Sequence, residues 1–241
     1  MTEGRDRPLA AFDLGQPGEW DFLAGVDEAG RGALAGPVVA AAVFMRRDFY
    51  TSPAGRDLAA IVNDSKKLTA DVRGEIRERL RSHSPEAGLC FAVGSGSVAE
   101  IADLNIIGAT RLAMQRALDA ALNAPGLSRD ALFRDEEDDL FATAQSKGPS
   151  VRLLIDGLPL KRFPYPHRGV VRGDGKSLAI ATASVLAKVT RDRLMTELDM
   201  RYPVFGLARH KGYGTSRHRE ALRLHGACPE HRPFFLRKLN L

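Results

Sequence analysis

Three times along this chain an apolar run ends in a carboxylate with glycine beside it. The first, Phe22-Leu-Ala-Gly-Val-Asp27-Glu28-Ala-Gly30-Arg31-Gly32, delivers two adjacent acids into a Gly-Arg-Gly turn. Val151-Arg-Leu-Leu-Ile155-Asp156-Gly157 repeats the design, and Val170-Val-Arg-Gly173-Asp174-Gly175 is a third version. Short apolar runs bounded by turn residues read as buried strands. A fold that accepts all three must bring strand ends together where acids and glycines can share one crevice.

Strands in this chain alternate with helices, which predicts an α/β layer whose strand ends line a ligand site. Pro37-Val-Val-Ala-Ala-Ala-Val-Phe44 and Leu89-Cys-Phe-Ala-Val93 are two further strands. Residues 46–57 read as a loop punctuated by Pro53 and Gly55. Asn63-Asp64-Ser65-Lys66-Lys67-Leu68 leads into a helix starting near Thr69, and its lysines are a solvated corner or a phosphate contact.

Gly94-Ser-Gly-Ser-Val-Ala99 fits a loose dinucleotide fingerprint, but no acid closes a second strand about 20 residues later. Ser97-Val-Ala-Glu100 is better read as a capping box opening a helix to about Leu122. Ile101, Leu104, Ile107, Leu112, Met114 and Leu118 give that helix a buried face, and Asn105 and Gly108 are irregularities in it. A second long helix runs from Ser177 to about Arg201, with a small-residue front (Ala179, Ala181, Ala183, Ala187) able to lie close to a sheet. Thr215 caps a short helix that closes near Gly226.

The net charge of +5 is unevenly placed. Residues 130–139 hold six acids (Asp130, Asp135, Glu136, Glu137, Asp138, Asp139) and one base, so the rest of the chain is strongly basic. Residues 201–241 carry nine Lys/Arg against two acids and four of the six histidines. Charge of this kind suits a polyanion or a merely basic soluble surface, and on charge alone both stay open. No apolar run approaches the roughly 18 residues of a membrane span, and the N-terminus lacks a signal-peptide pattern, so a cytoplasmic location is expected. Cys90 and Cys228 have neither metal-ligand spacing nor disulfide density, and each reads as a small apolar residue.

Asp27, Glu28, Asp156 and Asp174 therefore stand beside glycines at the ends of predicted elements. Clustered carboxylates are costly unless a cation sits among them, and oxygen ligands favour Mg²⁺ or Mn²⁺. A pair of such ions about 4 Å apart activates a water and steadies a leaving oxygen in phosphodiester cleavage. Consecutive residues of a regular strand point to opposite faces, so Asp27 and Glu28 share one site only if the strand breaks there. The following Ala-Gly-Arg-Gly suggests such a break.

Val26-Asp-Glu-Ala-Gly-Arg-Gly32 with Gly36-Pro37, Asp64-Ser-Lys-Lys-Leu68, Leu154-Ile-Asp156-Gly157, Gly173-Asp174 leading to Ala183-Ser-Val-Leu-Ala-Lys-Val-Thr-Arg-Asp192, and His210-Lys-Gly-Tyr-Gly-Thr215 together resemble ribonuclease HII. The resemblance covers about residues 22–235, with five motifs in the same order. It implies an α/β ribonuclease H-like fold, with a mixed central β-sheet flanked by helices and a small C-terminal helical region. It also implies an endonuclease that cuts the RNA strand of RNA–DNA hybrids and incises 5′ of single ribonucleotides in duplex DNA, leaving 3′-hydroxyl and 5′-phosphate ends.

On this resemblance, Asp27, Glu28, Asp156 and Asp174 match the family's acidic ligands for two Mn²⁺ or Mg²⁺ ions. Gly30, Arg31 and Gly32 match its motif around the 2′-hydroxyl, Tyr213 its junction tyrosine, and Ser65 and Lys66 its backbone-phosphate contacts. The 2′-hydroxyl is the local difference between RNA and DNA, which is why a reader of it belongs over the metals. A monomer is expected. Lys176, Lys188, Arg191 and Asp192 receive no role. His210 is as open to a structural role as to a substrate contact.

Ala33 stands where a proline is common, and Phe234 replaces the serine expected in a His-Arg-x-Ser-Phe motif. The related ribonuclease HIII usually carries an extra N-terminal domain, which is not expected here with roughly 20 residues before Asp21. The expected organisation is a loose arm over residues 1–20 and a catalytic domain over 21–200 with an acidic surface insertion at 123–150. A C-terminal helical substrate-binding region then covers 201–241.

Overall fold

The structure, a computed structural model, describes residues 8–63, 74, 78, 80, 88–124, 126–133 and 148–237. Five strands form one sheet in the order β3-β2-β1-β4-β5. They are β1 (Phe22–Ala29), β2 (Val38–Arg46), β3 (Leu89–Gly96), β4 (Val151–Asp156) and β5 (Arg168–Val170). The β1–β2 and β2–β3 pairs are antiparallel, and β1–β4 and β4–β5 are parallel, so the sheet is mixed.

Because both faces are covered, β2 shows no polar alternation: Val38-Val-Ala-Ala-Ala-Val-Phe-Met45 is buried throughout. One face packs on a 24-residue helix, here α4 (Leu178–Arg201), and on the shorter α1 (Pro8–Leu14) and α2 (Pro53–Asn63). The other packs on α3 (Val98–Ala121). The small front of α4 does lie on the sheet, with Ala179, Ala183 and Ala187 fully buried. At Gly25 of β1 the approach is so close that a Cβ would stand 2.3 Å from the Ala179 carbonyl carbon. Beyond α4, the short helices α5 (Leu207–His210), α6 (Ser216–His225) and α7 (Pro233–Leu236) pack on its far end around Met195, Leu198, Phe205 and Leu207.

The capping box of α3 forms as expected: Ser97 Oγ accepts from the Glu100 amide, and Glu100 Oε2 accepts from the Ser97 amide. Asn105 is the expected irregularity, at φ 56° and ψ 173°, with its Oδ1 accepting from the amides of Ile107 and Gly108. The helix is kinked there, and Leu104 and Ile107, expected on the buried face, are exposed as a result.

Three further expectations need correction. Residues 8–14 of the expected loose arm form α1, which buries Leu9, Ala10 and Asp13. Asp13 Oδ2 accepts from the Tyr50 hydroxyl and from the Ala179 amide, each at 3.0 Å, tying α1 to the N-terminus of α4. An anion is favoured at a helix N-terminus, which explains a carboxylate in so buried a place. Trp20 is buried too, edge-on to Tyr50 and under the Arg47 guanidinium.

Residues 46–57 are no loop. They hold a 3₁₀ turn, Arg47–Thr51, and the start of α2, because Pro53 occupies the first helical position and Ser52 Oγ accepts from the Gly55 amide as its cap. In the insertion, Ala131 and Leu132 are buried against the α3 side of the sheet, so that stretch is not wholly solvated. Asp135, Glu136, Glu137, Asp138 and Asp139 lie outside the described residues, as do Ser65, Lys66 and the start of the helix expected from Thr69, of which Gly74, Glu78 and Leu80 are helical and Leu80 is buried.

Candidate active site

β1 does not break at its acids. It stays paired with β2 through Glu28↔Ala40 and Ala29↔Val39. The expected interruption is absent because the β2 run keeps offering partners beyond Asp27. Strand alternation therefore holds, and the two acids part. Asp27 is buried and turns to the α4 face, where the Ser184 hydroxyl favours its charged form. Glu28 turns to a cleft lined by Ile107, Thr110 and Met114 of α3, and is bridged at 3.3 Å by the Arg31 guanidinium.

Asp156 joins them from the adjacent parallel strand. Val26 pairs with Ile155, so Asp27 and Asp156 occupy the next rung at the strand ends. Asp156 shares the cleft with Glu28, and its Oδ1 accepts from the Gly173 amide at 2.6 Å. That bond anchors the loop carrying Asp174, which is exposed one residue further on.

Burial pushes the Asp27 carboxyl up to about 8; Ser184 opposes this, and the charges of Glu28 and Asp156 reinforce it. Burial also raises Glu28, against the pull of Arg31. Three carboxylates thus meet at one crest, and among the described residues a single arginine, on Glu28, offsets them. That donor set suits a hard, oxygen-preferring divalent cation. The acids are not drawn into a closed cage: among the described residues no group of three or more His, Cys, Asp or Glu is placed to hold an ion.

Gly30 follows directly at φ +86°, and a Cβ there would stand 1.7 Å from the Nε of Arg191. Gly32 has open space around its α-carbon instead, and Arg31 and Gly32 are exposed. Tyr213 is 42% exposed beside them, with its ring centroid 5.6 Å from the Arg191 guanidinium carbon. The two segments touch through Leu34, whose amide donates to the Gly212 carbonyl at 2.8 Å.

Behind Tyr213, histidines make an ordered chain. The Tyr213 carbonyl can only accept, so His218 Nδ1 carries the proton that bridges their 3.0 Å contact. His218 Nε2 then accepts from His231 Nε2, also at 3.0 Å, and His231 Nδ1 accepts from the Cys228 amide. Both imidazoles are neutral in this arrangement, and burial depresses both, His218 to about 4. His210 bonds the Phe205 carbonyl and stacks on His218, a structural role.

Three contributors escaped the sequence reading. Ser184 looks like one more small residue on the front of α4. Arg191 and Arg232 are fully buried, where arginines are rarely found. The only signal for Ser184 and Arg191 was their place inside a motif carried by resemblance.

Comparison with known proteins adds four matches. A family model described as ribonuclease HII matches residues 24–124 and 160–239. A ribonuclease HII from Syntrophotalea carbinolica is 42% identical over 213 residues, covering 88% of this chain and 84% of that protein. Among solved structures, the ribonuclease H2 of Pyrococcus horikoshii OT3 superposes with a TM-score of 0.64 at 23% identity, over 90% of this chain and 96% of the other. Bst-RNase HIII, solved in complex with Mn²⁺, gives 0.57 at 19% identity, over 92% of this chain and 67% of that one. These two share the fold. On the family match and the 42% relative, the chain belongs to the ribonuclease HII family, and is a divalent-metal-dependent endoribonuclease of the ribonuclease H class that acts on RNA–DNA substrates.

Proposed function

We propose that the protein hydrolyses the RNA strand of RNA–DNA hybrids and also incises 5′ of a single ribonucleotide embedded in duplex DNA. The observation that carries this reading is the convergence of Asp27, Glu28 and Asp156 on adjacent strand ends, with a glycine-rich turn and an exposed tyrosine packed beside them. Asp27, Glu28, Asp156 and Asp174 would hold two Mn²⁺ or Mg²⁺ ions, whose chemistry there would be activation of a water and neutralisation of the leaving 3′ oxygen.

The chain's own residues do the rest. Ser184 keeps Asp27 oriented, and Arg31 restrains Glu28. Gly30, Arg31 and Gly32 approach the ribose; the open space at Gly32 leaves room for a 2′-hydroxyl to meet main-chain groups. The Tyr213 ring packs on the following deoxyribose, where a hydroxyl is missing. Basic residues of the C-terminal helices, and Ser65 and Lys66, meet the phosphates. Such an enzyme serves ribonucleotide removal in the cytoplasm and works as a monomer.

The test is a DNA duplex with one ribonucleotide, incubated with purified protein in Mn²⁺, Mg²⁺ or EDTA. Cutting 5′ of the ribonucleotide in metal and none in EDTA is expected. No cut in either metal, while a continuous hybrid is cleaved, would remove the embedded-ribonucleotide reading.

A further inference from the structure

Arg191 and Arg232 are the largest fully buried side chains among the described residues, and among those residues neither lies within ion-pair distance of a carboxylate. Asp192, whose field reaches Arg191, is held by Lys188 at 2.7 Å. Burial lowers both arginines, and the field of Arg191 adds to the lowering of Arg232, to about 9. Two adjacent buried cations without counterions are expensive, so their donors must accomplish something that neutral side chains cannot.

What they do is hold bare backbone. Arg191 donates through Nε to the Pro37 carbonyl at 3.0 Å, through Nη2 to Ala35 at 3.1 Å and through Nη1 to Lys211 at 2.8 Å. Arg232 donates through Nε to Gly36 at 2.9 Å and through Nη1 to Arg31 at 3.0 Å, and its own amide donates to Leu34. Every acceptor lies in residues 31–37 or at Lys211, two residues before Tyr213. The 31–37 segment has little ladder of its own, a single bridge from Ala35 to His231. Only a guanidinium fork offers enough fixed donors to span such a set, whereas a lysine ammonium is a point donor.

We propose that Arg191 and Arg232 are positioning residues for substrate selectivity. They lock the Gly30–Gly32 turn and the Tyr213 loop into one rigid unit, so that the ribose and the sugar after it are inspected at a fixed separation above the acids. The proposal rests on the reading that these two segments meet the sugars, but the clamp itself can be tested without substrate.

The experiment is a double-mutant cycle of Arg191→Lys and Tyr213→Ala, read by single-turnover cleavage, with amide hydrogen exchange on the same proteins. Arg191→Lys should slow cutting of the single-ribonucleotide duplex at least about tenfold with KM changed less than about threefold, and slow the continuous hybrid several-fold less, because only the former needs the deoxyribose contact of Tyr213. In the Tyr213→Ala background the same change should have almost no further effect. Exchange should quicken together in residues 31–37 and 211–215 while the sheet stays protected. If Arg191→Lys does not fold, Arg232→Lys takes its place, with the same loss of selectivity expected and faster exchange in residues 31–36. Additive losses, equal losses on both substrates, or loops as protected as in the wild type would overturn the proposal. If the wild type cuts neither substrate, the functional reading fails, and the exchange result still decides whether the clamp exists.

Discussion

Asp27 and Glu28 are neighbours in the chain but leave β1 through opposite faces of the sheet, Asp27 toward Ser184 on α4 and Glu28 toward Arg31 and the cleft beside α3. The pair is thus not one bidentate feature. It is two ligands reaching the end of the strand from its two sides, with Asp156 between them.

That division makes their substitutions unequal. Asp27→Asn keeps the shape and the bond from the Glu28 amide while removing a carboxyl that must take up a proton at neutral pH to be buried beside Glu28 and Asp156. In EDTA it should raise stability by about 1–2 kcal/mol, a few degrees of melting temperature for a chain of this size. Glu28→Gln should do less, because Arg31 already offsets that charge. Mn²⁺ should raise the melting temperature of the wild type and barely move that of Asp27→Asn.

The histidine chain predicts a defined acid sensitivity. Folding depresses His218 to about 4 from 6.5, so the unfolded chain takes up its proton first as pH falls. The stabilising contribution is complete above pH 6.5 and is lost as pH drops toward 4, amounting to about 3 kcal/mol. His218→Asn keeps a donor for the Tyr213 carbonyl but does not titrate there. The gap between its unfolding free energy and that of the wild type, measured with urea, should change over this window and stay flat above pH 7.

Asp13 tests whether the first helix is part of the catalytic domain. Asp13→Ala strips a buried hydroxyl and a helix-terminal amide of their acceptor. The expected cost is about 2–4 kcal/mol, seen as a lower denaturant midpoint. A change under 0.5 kcal/mol would mean that α1 is dispensable.

Gly25→Ala should cost at least about 2 kcal/mol, because the added carbon meets main-chain atoms of α4 that have no freedom to move aside. Calorimetry on the purified variant checks this, and failure to accumulate as soluble protein would agree with it.

Much of this architecture follows from local pattern. Short apolar runs ending at acids announced the strands, and the small front of α4 and the capping box of α3 were visible as residue types. What local pattern does not carry is partnership. β1 runs past Asp27 because β2 is beside it, a fact of pairing that no single-strand reading contains. α1 has too few residues for a periodic signal, and its stabilising bonds go to Tyr50 and Ala179, 37 and 166 residues away. Pro53 looks like loop punctuation by residue type, yet the same residue starts a helix when a capping serine precedes it. The buried arginines look like any basic residues in a basic chain, and only their carbonyl partners distinguish them.

Carboxylates from β1 and β4, with Asp174, are proposed to hold the ions that cut beside a ribonucleotide. The most direct measurement is the single-turnover rate on a single-ribonucleotide duplex at saturating Mn²⁺, for the wild type and for Asp27→Asn, Glu28→Gln, Asp156→Asn and Asp174→Asn. Each substitution should lower the rate at least about a hundredfold while the duplex still binds, Asp27 and Asp156 most severely. Cleavage at near wild-type rate by Asp27→Asn combined with Asp156→Asn would contradict the account.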